Sequence, residues 1–156
     1  MTTAHFDFLF NATQQARRNM VELMKPFTLA QVNAFPEGFN NNLVWNFGHV
    51  IVTQQLLCYS LAGAKPLVDD DLIAAYRRGS APAGGISQEA FDDLLRLSTA
   101  TLEQFKSDYT AGVFQAYNAY TTSFGMELTS VEEAFLFNLA HEAMHLGTMI
   151  AMRKLV

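Results

Sequence analysis

Two of the four histidines in this 156-residue chain stand one helical turn apart, in the pentapeptide His141-Glu142-Ala143-Met144-His145. Side chains at positions i and i+4 of a helix are neighbours, so both imidazoles can reach one metal ion. A third histidine, His49, lies in another apolar helical segment. Three neutral imidazoles form an open zinc-type site that leaves a coordination position for water or substrate. The pattern therefore favours a metal centre over three separate core histidines, each hydrogen-bonded to protein groups.

The type of ligand restricts the metal. Imidazole nitrogens suit zinc, nickel, copper or ferrous iron, whereas calcium and magnesium need oxygen ligands that this constellation lacks. We therefore expect a divalent transition metal, with zinc or nickel favoured over iron or copper. Because protons compete with the metal for imidazole nitrogens, ordinary histidine pKa values predict that binding fails below about pH 6.5.

Four long segments carry helical periodicity and must position these histidines. They cover approximately residues 5–25, 43–62, 87–109 and 130 to the end of the sequence. Pro26 ends the first segment and Gly63 the second, Ser87 is the predicted N-cap of the third, and a capping box at Ser130-Val131-Glu132-Glu133 begins the fourth. These four helices predict an all-α four-helix bundle, whose interior is where facing helices build metal and ligand sites.

The connections are of unequal length. Residues 65–85, rich in Asp, Gly and Pro, predict a long crossover between the second and third helices, with one short helix around residues 72–77. Residues 114–128 show a partial strand-like alternation of side-chain types, which predicts extended chain or a small hairpin. No linker divides the chain, so we expect one domain over residues 1–156. Gly48, next to His49, is unfavourable in a helix interior and indicates a close approach to the backbone there.

The composition limits the partners. Hydrophobic residues make up 50% and charged residues 16% of the chain, against about 25% charged in an average soluble protein. An apolar surface patch closed by a symmetric homodimer is therefore expected. The formal charge of −5 argues against nucleic acid as a partner, because phosphate binding needs a basic surface.

The single cysteine and the amino terminus indicate the compartment. Cys58 has no partner for an internal disulfide and lies among apolar residues, which indicates packing in a reducing cytoplasm. The first residues contain no basic region followed by an apolar core, and no apolar run reaches about 18 residues. We therefore expect a cytoplasmic protein that makes no use of a membrane.

His-Glu-x-x-His is also the zincin peptidase signature, in which the glutamate is the general base. The metzincin extension requires Gly and His where this chain has Thr148 and Ala151. A thermolysin-like site takes a later Glu as its third ligand, and the eleven residues after His145 contain no acid. A zincin-like metallopeptidase is therefore the alternative function.

Two motifs resemble the DinB-like superfamily, also called YfiT-like. They are Asn42-Leu43-Val44-Trp45-Asn46-Phe47-Gly48-His49 and His141-Glu142-Ala143-Met144-His145-Leu146-Gly147. Members are small four-helix bundles whose metal site takes one histidine from the second helix and an H-x-x-x-H pair from the fourth. The resemblance implies that His49, His141 and His145 are the metal ligands.

The resemblance also implies a kind of chemistry. Activities known in the superfamily are those of bacillithiol S-transferases and mycothiol-dependent maleylpyruvate isomerases, and dimers are common. This chain departs from a frequent pattern in which His precedes the final ligand and Arg-Gly-Gln follows it. It has Met144 before that ligand and Leu146-Gly147-Thr148 after it.

The residues thus predict a three-histidine protein that binds a divalent transition metal and a small-molecule substrate, and the resemblance implies a low-molecular-weight thiol as the candidate. Glu142 is a candidate catalytic base or a flanking solvated acid. Asn138 and Thr148 share the polar side of the fourth helix and are candidates for orienting the imidazoles or a bound water. A non-enzymatic interaction module is the other class of function that the sequence allows.

Overall fold

The computed structural model describes residues 2–82 and 84–156. Met1, in the amino-terminal segment considered above, and Ala83, within the crossover, lie outside the described residues. The chain forms helices α1 (Thr3–Met24), α2 (Leu29–Asn33), α3 (Leu43–Cys58), α4 (Asp70–Tyr76), α5 (Gln88–Thr110) and α6 (Val131–Met152), with strands β1 (Tyr120–Thr121) and β2 (Glu127–Leu128) before α6. The all-α prediction is therefore confirmed.

The four long helices form the bundle. Helix α6 packs against α1 and α3, and α5 packs against the same two helices. At one end of the core, the C-terminal parts of α1 and α6 pack against the N-terminal parts of α3 and α5. At the other end, the N-terminal parts of α1 and α6 pack against the C-terminal parts of α3 and α5. Helices α3 and α5 therefore run parallel. Because parallel neighbours need a long return connection, residues 59–87 form the predicted crossover.

Local sequence signals set most helix ends. Ser87 accepts a hydrogen bond from the backbone of Ala90, and Ser130 accepts one from Glu133, so the predicted N-caps of α5 and α6 are confirmed. The carboxylate of Glu133 accepts a hydrogen bond from the backbone nitrogen of Thr129. A capping box requires this bond to come from the N-cap residue, Ser130, one position later. The α-helical part of the second segment ends at Cys58, earlier than predicted, and a 3-10 turn over Ser60–Ala62 leads to Gly63.

Two of the connections between the long helices agree with the prediction from the sequence, and one differs from it. The short helix α4 lies in the crossover, and β1 and β2 pair antiparallel as a small hairpin. Helix α2 was not predicted, although Thr28 and Gln31 form a capping box at its start. In residues 2–82 and 84–156, no helix has the length and apolar character needed to cross a membrane.

Candidate metal centre

Three histidines from two helices meet on one side of the bundle. His49 lies on α3, and His141 and His145 lie one turn apart on α6. One nitrogen from each ring can be chosen so that all three lie within 4.8 Å of one another. Nitrogens bound to one zinc ion lie about 2.0–2.1 Å from it and hence at most about 4.2 Å from one another, so the rings must move closer together to hold one ion. The structure therefore brings together the three predicted ligands as a group that could bind a metal.

Hydrogen bonds orient two of the rings. Nδ1 of His49 lies 2.6 Å from the backbone oxygen of Tyr76, and Nδ1 of His145 lies 2.7 Å from Oδ1 of Asn46. A carbonyl oxygen can only accept, so both Nδ1 atoms carry the proton and both Nε2 atoms offer a lone pair. Such partners fix the tautomer and direction of metal-binding histidines.

The third ring has an unsatisfied nitrogen. Nδ1 of His141 is buried and has no hydrogen-bond partner among the described residues. A buried polar atom without a partner costs about 1–3 kcal/mol. A metal ion bound through this nitrogen would supply the missing partner, so the donor set fits a metal ion.

Burial keeps the metal-free rings neutral. Burial, followed by repulsion from His145 and His49, lowers the pKa of His141 to about 3. Burial and repulsion from His49 lower the pKa of His145 to about 4, and burial also lowers the pKa of His49 despite its bond to Tyr76. The expectation that metal binding fails below about pH 6.5 was made for ordinary histidine pKa values. Because these pKa values are lowered, we expect proton competition with the metal to begin at a lower pH.

Tyr76 explains the glycine next to His49. A Cβ atom added at Gly48 would lie 2.7 Å from Cγ of Tyr76 and closer still to two other ring carbons. The close approach predicted at Gly48 therefore comes from the ring of Tyr76, at the end of α4. On the other side, the indole of Trp45 stacks on His49 with ring centroids 4.6 Å apart.

Glu142 faces away from the imidazoles. Its carboxylate is fully buried and accepts hydrogen bonds from Arg17 of α1 at 2.8–3.1 Å and from Asn138 at 2.8 Å. Neither role suggested for Glu142, a catalytic base or a solvated acid, agrees with these contacts. The zincin interpretation loses its base, because the guanidinium and the amide already occupy the carboxylate.

The other two polar candidates also have different partners. The side chain of Asn138 donates to Glu142, and the hydroxyl of Thr148 donates to the backbone oxygen of Met144. The expectation that they orient the imidazoles is corrected, since α6 turns Asn138 towards the bundle interior and Thr148 binds its own helix. Asn46 and Tyr76 have that role instead. Asn46 precedes His49 by three positions on the same helix face, which was a usable signal.

A pocket of about 300 Å³ adjoins the histidines. Its walls include His49 and His141, the hydroxyl side chains of Thr53 and Ser60, and apolar side chains such as Phe137. The hydroxyl of Thr53 lies 3.4 Å from Nε2 of His49. The arrangement can therefore accept a small molecule beside a metal ion.

The only cysteine is not part of this pocket. Cys58 is fully buried, and burial raises the pKa of its thiol. Only a thiolate is strongly nucleophilic, so Cys58 packs in the core, as predicted. Any reactive sulfur at the pocket would have to come from a bound small molecule.

Comparison with known proteins places this fold in a family. A family model described as the DinB superfamily matches residues 12–149. A solved structure described as "Crystal structure of the conserved protein of locus from Enterococcus faecalis" is similar with a TM-score of 0.67 and 15% identity, over 100% of this chain and 98% of the other. That likeness shows a shared fold. Among curated proteins, no significant match was found.

Proposed function

The chain belongs to the DinB superfamily, and we propose that it is a metal-dependent enzyme that transfers a small thiol to an electrophilic substrate. The observation that carries this proposal is the meeting of three neutral imidazoles, of which hydrogen bonds orient two and His49 and His141 line a pocket. His49, His141 and His145 would hold a divalent transition metal, with zinc or nickel favoured over iron or copper. When bound, such an ion supplies Lewis acidity, which favours the deprotonated form of a thiol or water.

In this scheme, the residues of the chain orient the metal-binding imidazoles and form the pocket that binds the reactants. Asn46 and Tyr76 keep two imidazoles in the tautomer that offers Nε2 to an ion. The pocket excludes bulk water from one side with Leu56, Leu57 and Phe137. In the transfer, the thiol sulfur forms a bond to an electrophilic carbon while the bond from that carbon to its leaving group breaks. The thiol proton leaves with that group, so RSH and R′X give RSR′ and HX.

The cytoplasm is the compartment that suits this chemistry. Low-molecular-weight thiols are kept reduced there, and the unpaired Cys58 is compatible with such a compartment. The buried Cys58 cannot supply the sulfur, which is why the proposal assigns it to a cosubstrate.

We also propose a homodimer formed through the outer face of α6. Between Glu133 and Arg153 this face exposes only apolar or small residues, and among them Leu136 is 54% and Met144 and Ile150 are each 42% exposed. The face consists of Leu136, Ala140, Ala143, Met144, Gly147, Ile150 and Ala151. A continuous uncharged stripe of this kind is typical of a protein interface. Sedimentation analysis should give a dimer for the wild type and a monomer for Leu136→Glu, whereas Phe8→Glu, at an apolar site on α1 that is 72% exposed, should remain dimeric.

Metal analysis tests the enzyme proposal first. Protein purified without an affinity tag should contain close to one transition metal ion per chain, and the His141→Ala, His145→Ala double variant should contain almost none. His5→Ala is the matched control, because His5 is exposed and its ring forms a hydrogen bond with Thr2 at the start of α1, away from the other three histidines. A metal-free native protein that still folds would instead support an interaction module.

Thiol chemistry is tested on the metal-loaded protein. Cobalt-substituted protein should develop a sulfur-to-metal absorption band when a small thiol is added, and the thiol should then be consumed with an electrophile such as an aryl halide. Hydrolysis of peptides with no response to any thiol would contradict the proposal and favour a peptidase.

A further inference from the structure

The pocket beside the histidines contains one permanently charged side chain. Arg78 lines it together with His49 and His141, while the remaining described lining residues are apolar or carry neutral hydroxyl groups. Arg78 is the one Lys, Arg, Asp or Glu side chain among these lining residues, in a chain with a formal charge of −5.

The backbone around Arg78 is held at two points of α3. The backbone oxygen of Tyr76 accepts from Nδ1 of His49 at 2.6 Å, and the indole nitrogen of Trp45 donates to the hydroxyl of Ser80 at 3.1 Å. The oxygen of that hydroxyl lies 2.7 Å from the backbone oxygen of Ala75 and 2.8 Å from that of Arg77, and either can accept its one proton. The turn over residues 76–80 is therefore fixed to the helix that carries His49, and Arg78 lies between the two attachment points.

No group of the described chain neutralises Arg78. Within residues 2–82 and 84–156 its guanidinium forms neither an ion pair nor a side-chain hydrogen bond. Its position differs from that of Arg17, which is buried against Glu142 and two groups of α5. Arg78 is thus available to a molecule in the pocket.

We propose that Arg78 binds the carboxylate of the substrate, so that the pocket selects small organic acids whose opposite end reaches the three imidazoles. This inference rests on the proposed function for the role of that opposite end. One guanidinium matches one carboxylate in charge and in its pair of parallel hydrogen bonds.

Paired ligands test the proposal. Cobalt-loaded protein is titrated with ω-mercapto acids and with mercapto alcohols of equal length, over chains of two to six carbons, and the sulfur-to-cobalt band gives the dissociation constant. For at least one length the acid should bind about five- to tenfold more tightly than the alcohol, as expected for a partly exposed charge-assisted pair. Arg78→Gln should reduce this preference to within about twofold without changing the affinity for the alcohol.

Arg77→Gln is the matched control, since Arg77 is the adjacent exposed arginine and does not line the pocket. It should retain the preference for the acid. Equal affinities of acid and alcohol at every length in the wild type would overturn the proposal, and so would an equal loss of preference in both arginine variants.

Failure of the proposed function has a different signature. If no thiol of either kind produces the band, thiol binding at the metal is wrong. The same acid and alcohol pairs are then compared by ligand-observed NMR on metal-free protein. A preference for the acid that Arg78→Gln removes and Arg77→Gln keeps supports the anion site, and any other pattern overturns it.

Discussion

The side-chain oxygen of Asn46 on α3 lies 2.7 Å from Nδ1 of His145 on α6. The amide nitrogen of Asn46 donates to the backbone oxygen of Asn42 at 2.8 Å and to the side chain of Asn41 at 2.9 Å. Because the backbone oxygen can only accept, the amide cannot be reversed without loss of that bond. Asn46 therefore determines which nitrogen of His145 faces the other two rings.

Asn46→Ala should lower metal affinity by about 10- to 100-fold, the usual effect of removing a partner of a metal-binding histidine. The affinity is measured by competition with a chromophoric chelator. Asn40→Ala is the control, because Asn40 is exposed in the loop that precedes α3, and this variant should bind metal as the wild type does. Equal affinities of the two variants would show that Asn46 does not orient His145.

Gly48→Ala should weaken metal binding and destabilise the fold. The added methyl group would overlap the ring of Tyr76, and moving that ring also moves the backbone oxygen that holds His49. Overpacking of this kind costs about 1–3 kcal/mol in the free energy of unfolding. Urea denaturation and metal titration measure the two effects.

The control for that substitution is Gly147→Ala. A Cβ atom at Gly147 meets no atom of its own chain within 4 Å, so alanine should stabilise α6 of the monomer by about 0.5–1 kcal/mol through its helix propensity. Because Gly147 lies in the proposed dimer face, both glycine variants are compared in the monomeric Leu136→Glu background. If Gly48→Ala were as harmless as Gly147→Ala, the close packing of Tyr76 on α3 would be incorrect.

Arg17→Met should reduce the free energy of unfolding by about 3–5 kcal/mol, because it leaves the carboxylate of Glu142 buried without its cation. Arg17 and Glu142 join α1 to α6 with side-chain exposures of 3% and 0%. The double variant Arg17→Met, Glu142→Leu should recover much of the loss. Arg18→Met, at the adjacent exposed position, should change stability little, and chemical denaturation compares the four proteins.

The metal-free protein should lose stability as the pH falls from about 6.5 towards 4. The unfolded chain has ordinary histidine pKa values near 6.5, whereas those of His141 and His145 in the folded state are about 3 and about 4. The unfolded state therefore binds more protons in this range, and each group contributes at most about 1.4 kcal/mol per pH unit. Urea denaturation in EDTA should show a shallower decline for the His141→Ala, His145→Ala double variant.

Much of this arrangement was predictable from local patterns. The spacing of His141 and His145 and the apolar periodicity around His49 predicted three rings on two helices, and Gly48 predicted a close approach. The partner in that approach was not predictable, because Tyr76 lies 27 residues after His49 in a crossover whose path no local signal defines. The orientation of Glu142 was missed for a similar reason. Periodicity shows on which face of a helix a residue lies. It does not show that Arg17, 125 residues earlier in the chain, contacts Glu142 on that face.

The residues that line the pocket come from two kinds of structural element, packed helices and connecting segments. The imidazoles belong to α3 and α6, whereas Arg78 belongs to a turn, and Tyr120, Thr122 and Ser123 belong to the hairpin region. Connecting segments accept sequence change far more readily than packed helices do. Sequence changes in the turn and the hairpin alone can therefore alter the shape and charge of the pocket while the three histidines stay in place.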